Sequence, residues 1–364
     1  MSNNFGDAFK ISIFGESHGK AIGAIIDGLP AGFKLDLEQI QQQLDRRRPG
    51  YDKTATQRKE TDQIDILSGV VDKIATGSPI CGIINNTNTK SADYKNIQSI
   101  ARPSHADFVA YKKYSGANDV RGGGHFSGRI TAPIVFAGAI AKQYLFYKGI
   151  AVGAHISSVG TIADDKFDAV NIKEKDLLDL NASAFPLINS SLEMPIRDYI
   201  EKARMNLDSV GGTIECAAVG LPVGLGEPFF DSVESKIAQI AFSIPAIKGI
   251  EFGAGFDIAQ MYGSKANDEM YFGENGNFAT FTNNNGGING GITNSMPLVF
   301  KVAIKPTPSI GKEQRSIDYK NNENVNFSIA GRHDPCIVLR AVPVIESCLC
   351  IALCDLYLMN VRGK

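Results

Sequence analysis

The sequence predicts one large α+β domain that spans residues 1–364. Short alternating strand patterns and longer helical patterns follow one another along the whole chain. The 37 glycines mark turns throughout without forming a low-complexity linker. A hydrophobic fraction of 43%, with 21% charged residues, is sufficient for a large buried core and excludes a disordered chain.

The first elements lead into polar blocks. Residues 9–14, FKISIF, alternate as a strand and deliver the chain directly into GESHG at residues 15–19. Asp36 is placed to cap a helix whose apolar residues recur every three to four positions. That helix is predicted to end at three consecutive arginines, Arg46 to Arg48, just before a Pro-Gly pair.

Two further helices are predicted to begin beside functional blocks. Ser104 and Asp107 have the spacing of a capping box, which places His105 in the first turn of the helix that follows. Thr131 is predicted to cap a long apolar helix over residues 132–147, directly after a glycine-rich segment. Helix starts of this kind attract anions.

The second half of the chain continues the alternation. The predicted elements are a strand at 151–160, helices near 172–180 and 195–207, a strand at 213–220, a glycine-rich turn at 283–293, a strand at 297–306 and an apolar helix from about 342 to 361. Three of the six cysteines lie in that last helix without a CxxC pair or a histidine ligand. We therefore expect the cysteines to pack in the core and to bind no metal.

Charge and hydropathy exclude several classes of protein. A formal net charge of −2 and a pI near 6.2 argue against a general nucleic-acid binder. No run approaches 18 consecutive apolar residues, and the N-terminus lacks the charged-then-apolar order of a signal peptide. The sequence therefore predicts a cytoplasmic protein without a membrane partner.

Four of the five histidines lie in short blocks composed mainly of Gly, Arg, Ser and Asp. The blocks are residues 15–19, 102–108, 121–132 and 331–335. Each puts a group that titrates near neutrality beside a permissive backbone, and three of them add a guanidinium that binds anions. Seven arginines in loops or at helix ends are expected to form one pocket that neutralises phosphate or carboxylate charge: Arg46, Arg47, Arg48, Arg102, Arg121, Arg129 and Arg332.

Familiar phosphate and nucleotide motifs do not account for these blocks. GESHGK has three residues between its glycines where a P-loop needs four, and GAGFDIA lacks the third Rossmann glycine. A Ser-His-Asp hydrolase is a formal alternative that would use Ser17 or Ser127 with a histidine and Asp334. No GxSxG elbow supports it.

Taken together, the blocks resemble the chorismate synthase family. GESHG, DRRRPG, RPSHADF, RGGG followed by SGR and TA, AGAIAK, GEPFFD, GGINGGI, KPT and GRHDPC occur in the family's order between residues 9 and 359. The resemblance implies an anti-1,4-elimination of phosphate from 5-enolpyruvylshikimate 3-phosphate, which gives chorismate in the last step of the shikimate pathway. It also implies a requirement for reduced FMN without net redox change, a β-α-β sandwich with antiparallel sheets between helical layers, and a homotetramer.

The resemblance assigns roles to individual residues. It implies that His18 is an acid near the leaving phosphate, that His105 protonates the reduced flavin, and that Asp334 takes part in proton removal by way of flavin N5. The implied substrate-binding residues are Ser17, Arg47, Arg102, Ser127, Arg129 and Arg332. The implied flavin-binding residues are Arg47, His125, Phe126, Ser127, Pro245, Ala246, Gly290, Lys305, Pro306, Thr307, Pro308, Ser309 and Arg332.

The resemblance also implies partners beyond the substrate. NADPH is expected as an indirect reductant, with Arg47 at the position that the family associates with it, and an external flavin reductase is expected to supply reduced FMN. Two alternatives remain at this point. One is a phosphate-ester hydrolase that uses the same arginine pocket without flavin, and the other is a non-catalytic anion-binding protein.

Overall fold

The computed structural model describes residues 3–48, 62–86, 99–273, 276–329 and 334–362. The strands are β1 (Asn4–Phe5), β2 (Lys10–Gly15), β3 (Ala21–Asp27), β4 (Ile64–Ser68), β5 (Val70–Val71), β6 (Ile74–Ala75), β7 (Ile80–Asn85), β8 (Ala151–Val159), β9 (Ile162–Ala163), β10 (Gly212–Val219), β11 (Ile247–Phe252), β12 (Met270–Phe272), β13 (Phe278–Thr280), β14 (Ile288–Asn289), β15 (Ile292–Thr293), β16 (Leu298–Ile304), β17 (Gln314–Asp318) and β18 (Glu323–Phe327). The helices are α1 (Leu37–Arg47), α2 (Asp107–Lys113), α3 (Thr131–Tyr147), α4 (Glu174–Ala182), α5 (Glu193–Met205), α6 (Val233–Ser243), α7 (Gly263–Ala266) and α8 (Val338–Arg362).

Two antiparallel sheets of five strands each form most of the β-structure. The first sheet has the order β1-β2-β3-β7-β4, and the second has the order β11-β16-β10-β8-β9. Neighbouring strands are antiparallel in both. The predicted α+β class with antiparallel sheets is therefore confirmed.

Helices α3 and α8 pack against each other in the centre of the molecule. The first sheet packs on α3 through β3, and the second sheet packs on α8 through β8 and β10. Helix α4 covers β8 from the opposite face, where Leu177 joins Ala151, Ala217 and Val299 in a small separate cluster. The second sheet thus lies between helical layers, and the two central helices lie between the two sheets.

The two sheets differ in how they are buried. Alternate residues of β3, such as Ile22 and Ala24, are fully buried against the helices, whereas Ile25 is 41% exposed on the other face. Phe14 of β2 is on the same outward face as Ile25 and is 36% exposed. In the second sheet nearly all of β8 is buried. One sheet is thus half exposed, and the other is part of the interior.

Helices α3 and α8 are each long and apolar enough to cross a membrane. Most of both helices is buried inside the protein, so they are core helices. Cys348, Cys350 and Cys354 lie fully buried on α8 as free thiols, which confirms the prediction that they pack in the core. Burial raises the pKa of the Cys350 thiol to about 12.

Two predicted helix caps are wrong, and one is confirmed. Asp36 caps α1 by accepting hydrogen bonds from the backbone of the first turn. Ser104 does not cap α2, which begins at Asp107 after an uncapped Ala106, so that His105 precedes the helix. Thr131 is itself the first residue of α3, and its hydroxyl donates to the Gly128 carbonyl at 2.6 Å. At α2 the carboxylate of Asp107 binds the side chains of Arg102 and His105 and the backbone amide of Arg102, so it does not complete a capping box with Ser104.

Candidate active site

The loop that carries His18 lies against a run of three glycines. Strand β2 ends at Gly15, and the amide of Ser17 then donates to the carbonyl of Gly124 at 3.1 Å. A Cβ atom at Gly122 would lie 2.1 Å from Nδ1 of His18, and Gly122 has a φ of +60°. Only glycine is compatible with that backbone conformation and that close approach.

His105 packs against the next glycine of the same run. A Cβ atom at Gly123 would lie 3.3 Å from Cε1 of His105 and 3.6 Å from Nη2 of Arg102. Two consecutive glycines thus contact two histidines that are 87 positions apart in the sequence. The structure brings the blocks at residues 15–19, 102–108 and 121–132 to one place.

His105, Asp107 and Arg102 form a compact charged cluster. Nδ1 of His105 lies 2.6 Å from Oδ1 of Asp107, and Arg102 donates to both carboxylate oxygens at 2.8 Å. Burial alone would raise the pKa of Asp107, but hydrogen bonds from Arg102 and His105 outweigh it and hold that pKa well below its ordinary value. The ionised Asp107 orients both the Arg102 guanidinium and the His105 ring.

Asp62 joins two of the predicted substrate arginines. Its carboxylate is 1% exposed and binds Arg47 through one oxygen and Nη1 of Arg129 through the other, the latter at 2.8 Å. Burial would raise the pKa of Asp62, but the charges of Arg47 and Arg129 lower it overall. The sequence analysis missed Asp62, although an acidic residue just before a strand is a recognisable signal.

Asn86, which follows β7, was also missed. Its side-chain oxygen accepts a hydrogen bond from Nε of Arg129 at 2.7 Å. Its side-chain nitrogen donates to the carbonyls of Glu16 and Gly19, at 3.1 and 2.9 Å. Asn86 therefore connects Arg129 to the loop that contains His18.

Asp334 is 9% exposed and is held by a cation that the sequence analysis did not select. Nη1 of Arg340, at the start of α8, donates to Oδ2 of Asp334 at 2.8 Å. Nε of the same guanidinium donates to the backbone carbonyl of Arg47 at 3.1 Å. The hydroxyl of Thr307 donates to the backbone carbonyl of Asp334 at 3.1 Å. These contacts bring Asp334 next to the C-terminus of α1.

Several residues of the expected flavin set lie beside the His105 cluster. The ammonium of Lys305 donates to the carbonyl of Ser104 at 2.8 Å, and Arg102 donates to the hydroxyl of Ser309 at 3.4 Å. The amide of Lys305 donates to the carbonyl of Ala246, which has a strained φ of +76°. Burial and the nearby Lys248 lower the pKa of Lys305.

The remaining members of that set are placed in different ways. His125 contacts the carbonyl of Gly15 at 2.7 Å and the side-chain oxygen of Asn3 at 3.2 Å. Phe126 packs near Tyr114, with ring centroids 6.2 Å apart, and the hydroxyl of Ser127 accepts from the amide of Arg129 at 3.4 Å. Pro306 and Pro308 flank Thr307, Pro245 precedes Ala246, and Gly290 lies in the turn between β14 and β15. Arg332 lies outside the described residues.

Three of the seven arginines expected in one pocket bind carboxylates that the sequence did not predict. Arg46 binds Glu346 of α8 in the core, at 2.7 and 2.9 Å, so the prediction is wrong for Arg46. Arg48 pairs with Asp45 at 3.4 Å, and Arg121, which directly precedes Gly122, pairs with Asp119 at 2.8 Å. The placement of Arg48 and Arg121 in the pocket stays a prediction.

The fold and the site together define an enzyme that acts on a small, multiply anionic substrate by acid-base chemistry. Two histidines and a buried carboxylate are groups able to transfer protons, and the arginines near them carry positive charge.

Comparison with known proteins specifies the family. A family model described as chorismate synthase matches residues 9–358. A chorismate synthase of Methanocaldococcus jannaschii is 46% identical over 367 residues, which cover 98% of this chain and 96% of that one. A chorismate synthase of Lachnoclostridium phytofermentans is 46% identical and covers 100% of this chain and 96% of its own length.

The fold agrees with these similarities. A crystal structure of chorismate synthase superposes on this chain with a TM-score of 0.76 at 30% sequence identity. The superposition covers 98% of this chain and 93% of the chain in that crystal structure. The chain belongs to the chorismate synthase family. It is accordingly a carbon-oxygen lyase of aromatic amino acid biosynthesis, and this class is favoured over the hydrolase and the non-catalytic protein.

Proposed function

We propose that this chain eliminates phosphate from 5-enolpyruvylshikimate 3-phosphate in the anti-1,4 sense and releases chorismate. The observation that carries the proposal is the packing of His18 against Gly122 and of His105 against Gly123. Arg102 lies beside His105, and Arg129 is joined through Asn86 to the loop that carries His18. A substrate with one phosphate and two carboxylates requires cations and an acid in this arrangement.

His18 is the acid that assists the departing phosphate in this proposal. It lies on a loop whose flanking carbonyls are fixed by Asn86, close to the guanidinium of Arg129. A positioned acid lowers the barrier to leaving-group departure, and adjacent guanidinium groups stabilise the charge that develops on phosphate. We assign substrate binding to Ser17, Arg47, Arg102, Ser127, Arg129 and Arg332.

Asp334 is the carboxylate that accepts the proton released in the elimination. Arg340 fixes the orientation of this carboxylate. Arg340 also donates to the backbone carbonyl of Arg47. One guanidinium therefore contacts both the proposed proton acceptor, Asp334, and the proposed substrate-binding residue Arg47. Orientation of this kind contributes to rate because it removes the need to position the groups during reaction.

The residues beside His105 fit a reduced, anionic FMN. Residues 122 to 124 all have positive φ and present no side chain. The guanidinium of Arg102 lies beside Gly123, and the ammonium of Lys305 donates to the carbonyl of Ser104, the residue before His105. The residues that we propose to bind FMN are the full set implied by the resemblance, from Arg47 and His125 to Ser309 and Arg332. Reduced flavin, when bound, supplies electron density and a basic nitrogen. The role of His105 in this chain is to hold a proton next to that site, oriented by Asp107.

We further propose a single domain over residues 1–364 and a cytoplasmic homotetramer. One continuous core, which includes both Phe9 and Leu358, supports the single domain. Exposed aromatic side chains support assembly with further copies, because Phe230 is 91% exposed, Phe256 80% and Phe272 78%. Light scattering after size-exclusion chromatography tests this, and a monomeric mass at micromolar concentration would refute the tetramer.

The decisive experiment uses purified protein mixed anaerobically with 5-enolpyruvylshikimate 3-phosphate and chemically reduced FMN. We expect chorismate absorbance to appear only with reduced flavin, and a parallel sample without flavin is the control. Phosphate release without chorismate would favour the hydrolase, and bound substrate without any product would favour the anion-binding protein.

The source of reduced flavin is tested with the same assay. We expect NADPH and oxidised FMN to support product formation only when an external flavin reductase is added, since NADPH acts as an indirect reductant in this proposal. Product formation with NADPH and oxidised FMN alone would show that the chain reduces flavin by itself.

A further inference from the structure

Both the nitrogen and the oxygen of the Asn86 side-chain amide make hydrogen bonds. Its nitrogen donates to the carbonyls of Glu16 and Gly19, which flank Ser17 and His18, and its oxygen accepts from Arg129 at 2.7 Å. The backbone amide of Asn86 independently donates to the carbonyl of Lys20 at 3.0 Å. The side chain is therefore not needed to attach the strand end to the loop, and it makes a separate connection.

That connection defines where Arg129 points. Asn86 holds Nε of the guanidinium and Asp62 holds Nη1, so two contacts at different nitrogens fix the plane of the group. Asn86 and Asp62 come from neighbouring strands of the first sheet, just after β7 and just before β4. The position of Arg129 is thus determined by residues at the ends of two paired strands.

We propose that Asn86 is a positioning residue for the elimination, which holds the His18 loop and the Arg129 guanidinium at a fixed separation so that both face the same departing phosphate. This inference rests on the proposed function and deepens it. An amide is suited to the task because one end donates to carbonyls and the other accepts from a guanidinium. A carboxylate or a hydroxyl supplies only part of that set.

The conservative and the disruptive variants separate the two ends of the amide. Asn86→Ala removes every side-chain contact, and we expect kcat/KM to fall about 10²-fold, the effect of a misplacement of about 1 Å. Asn86→Asp keeps the acceptor for Arg129 and replaces the donor with an oxygen that the two carbonyls repel. We expect this variant to lose kcat with substrate KM within about twofold of the wild type, because the guanidinium contact is kept.

Asn85 is the matched control. It is the neighbouring residue, of the same type, exposed at the end of β7, and it has no part in the proposed site. Asn85→Ala is expected to retain wild-type kcat and KM. The thermal midpoint of each variant is measured, and activities are compared only between variants whose midpoints equal that of the wild type. A loss of activity in Asn85→Ala equal to that in Asn86→Ala would overturn the positioning role.

A double-mutant cycle distinguishes positioning from a general structural effect. In a His18→Ala background the acid is already absent, so Asn86→Ala is expected to lower kcat by far less than it does in the wild type. Equal losses in the two backgrounds would refute the proposal, as would wild-type kcat in both Asn86 variants. Failure of the proposed function itself is distinguishable, because the unmodified chain would then make no chorismate.

Discussion

His105 and His155 each pair with an aspartate, yet their surroundings differ. Nδ1 of His155 lies 3.0 Å from Asp164 and Nε2 lies 2.9 Å from Glu215, and the side chain is fully buried in the second sheet. His105 uses Nδ1 for Asp107 and directs Cε1 and Nε2 towards Gly123. Donation from Nδ1 to a carboxylate leaves Nε2 as the nitrogen that exchanges protons, so His105 retains a reactive atom and His155 does not.

The partners of the two histidines show the same difference. Asp164 accepts from the amides of Ile188 and Asn189 at 2.7 and 3.0 Å, so the His155 cluster ties an outer segment to the sheet. The His105 cluster contains a guanidinium and lies beside a side-chain-free glycine run. Proximity of a histidine to an acid is therefore no indicator of catalysis by itself, because the second ring nitrogen decides between structure and chemistry.

The largest expected effect is the loss of turnover when His105 is replaced. We expect His105→Ala to lower kcat by about 10²- to 10⁴-fold, the range that one acid-base group contributes, with the free energy of unfolding close to that of the wild type. Steady-state kinetics under anaerobic conditions and urea unfolding measure the two quantities. Wild-type turnover in His105→Ala would remove its assignment.

The corresponding change at the second histidine should affect stability and not chemistry. His155→Ala leaves Asp164 and Glu215 buried without their shared cation, which is expected to lower the free energy of unfolding by about 3–5 kcal/mol. Turnover per folded molecule should remain unchanged. Loss of turnover at unaltered stability would place His155 in the active site and contradict the purely structural role assigned to it.

The glycine run provides a third test. Gly122→Ala forces a residue with Cβ into a left-handed conformation, at about 1–2 kcal/mol, and pushes the new methyl into the ring of His18. We expect both a lower melting temperature and a lower kcat. Gly128→Ala is the control, since a Cβ there meets nothing within 4 Å, and an equal loss of kcat in both variants would contradict the role of the close approach.

The pH dependence of stability gives the smallest effect. Burial lowers the pKa of His155, but Asp164 and Glu215 outweigh it and raise that pKa above the ordinary value of 6.5. The stabilisation is fully present below the unfolded pKa and is lost as pH rises through the folded pKa, by about 1.4 kcal/mol for each pKa unit. Urea unfolding from pH 6 upward should show this loss in the wild type and not in His155→Gln.

Sequence patterns located most elements but not their ends or their contacts. Helix α8 was expected to begin near Val342, yet it begins at Val338 and contains Pro343. In the first sheet the alternation of residues 9–14 located β2, whereas β3, β4 and β7 were not predicted. A half-exposed sheet that carries an apolar residue such as Ile25 outward does not alternate cleanly. The position of His105 before α2 was likewise misassigned, because side-chain charge pairing replaced capping.

The sequence by itself determined the α+β class, the order of the histidine and arginine blocks, and the family, because these depend on local composition and on motif order. Only the tertiary structure decided which charges meet. It packed His18 against Gly122 and His105 against Gly123, and it joined Asp62 and Asn86 to Arg129 and Arg340 to Asp334. It also buried Arg46 against Glu346 in the core. The physical reason is that the partner of a buried charge is set by which distant segments pack together, and no local pattern contains that information.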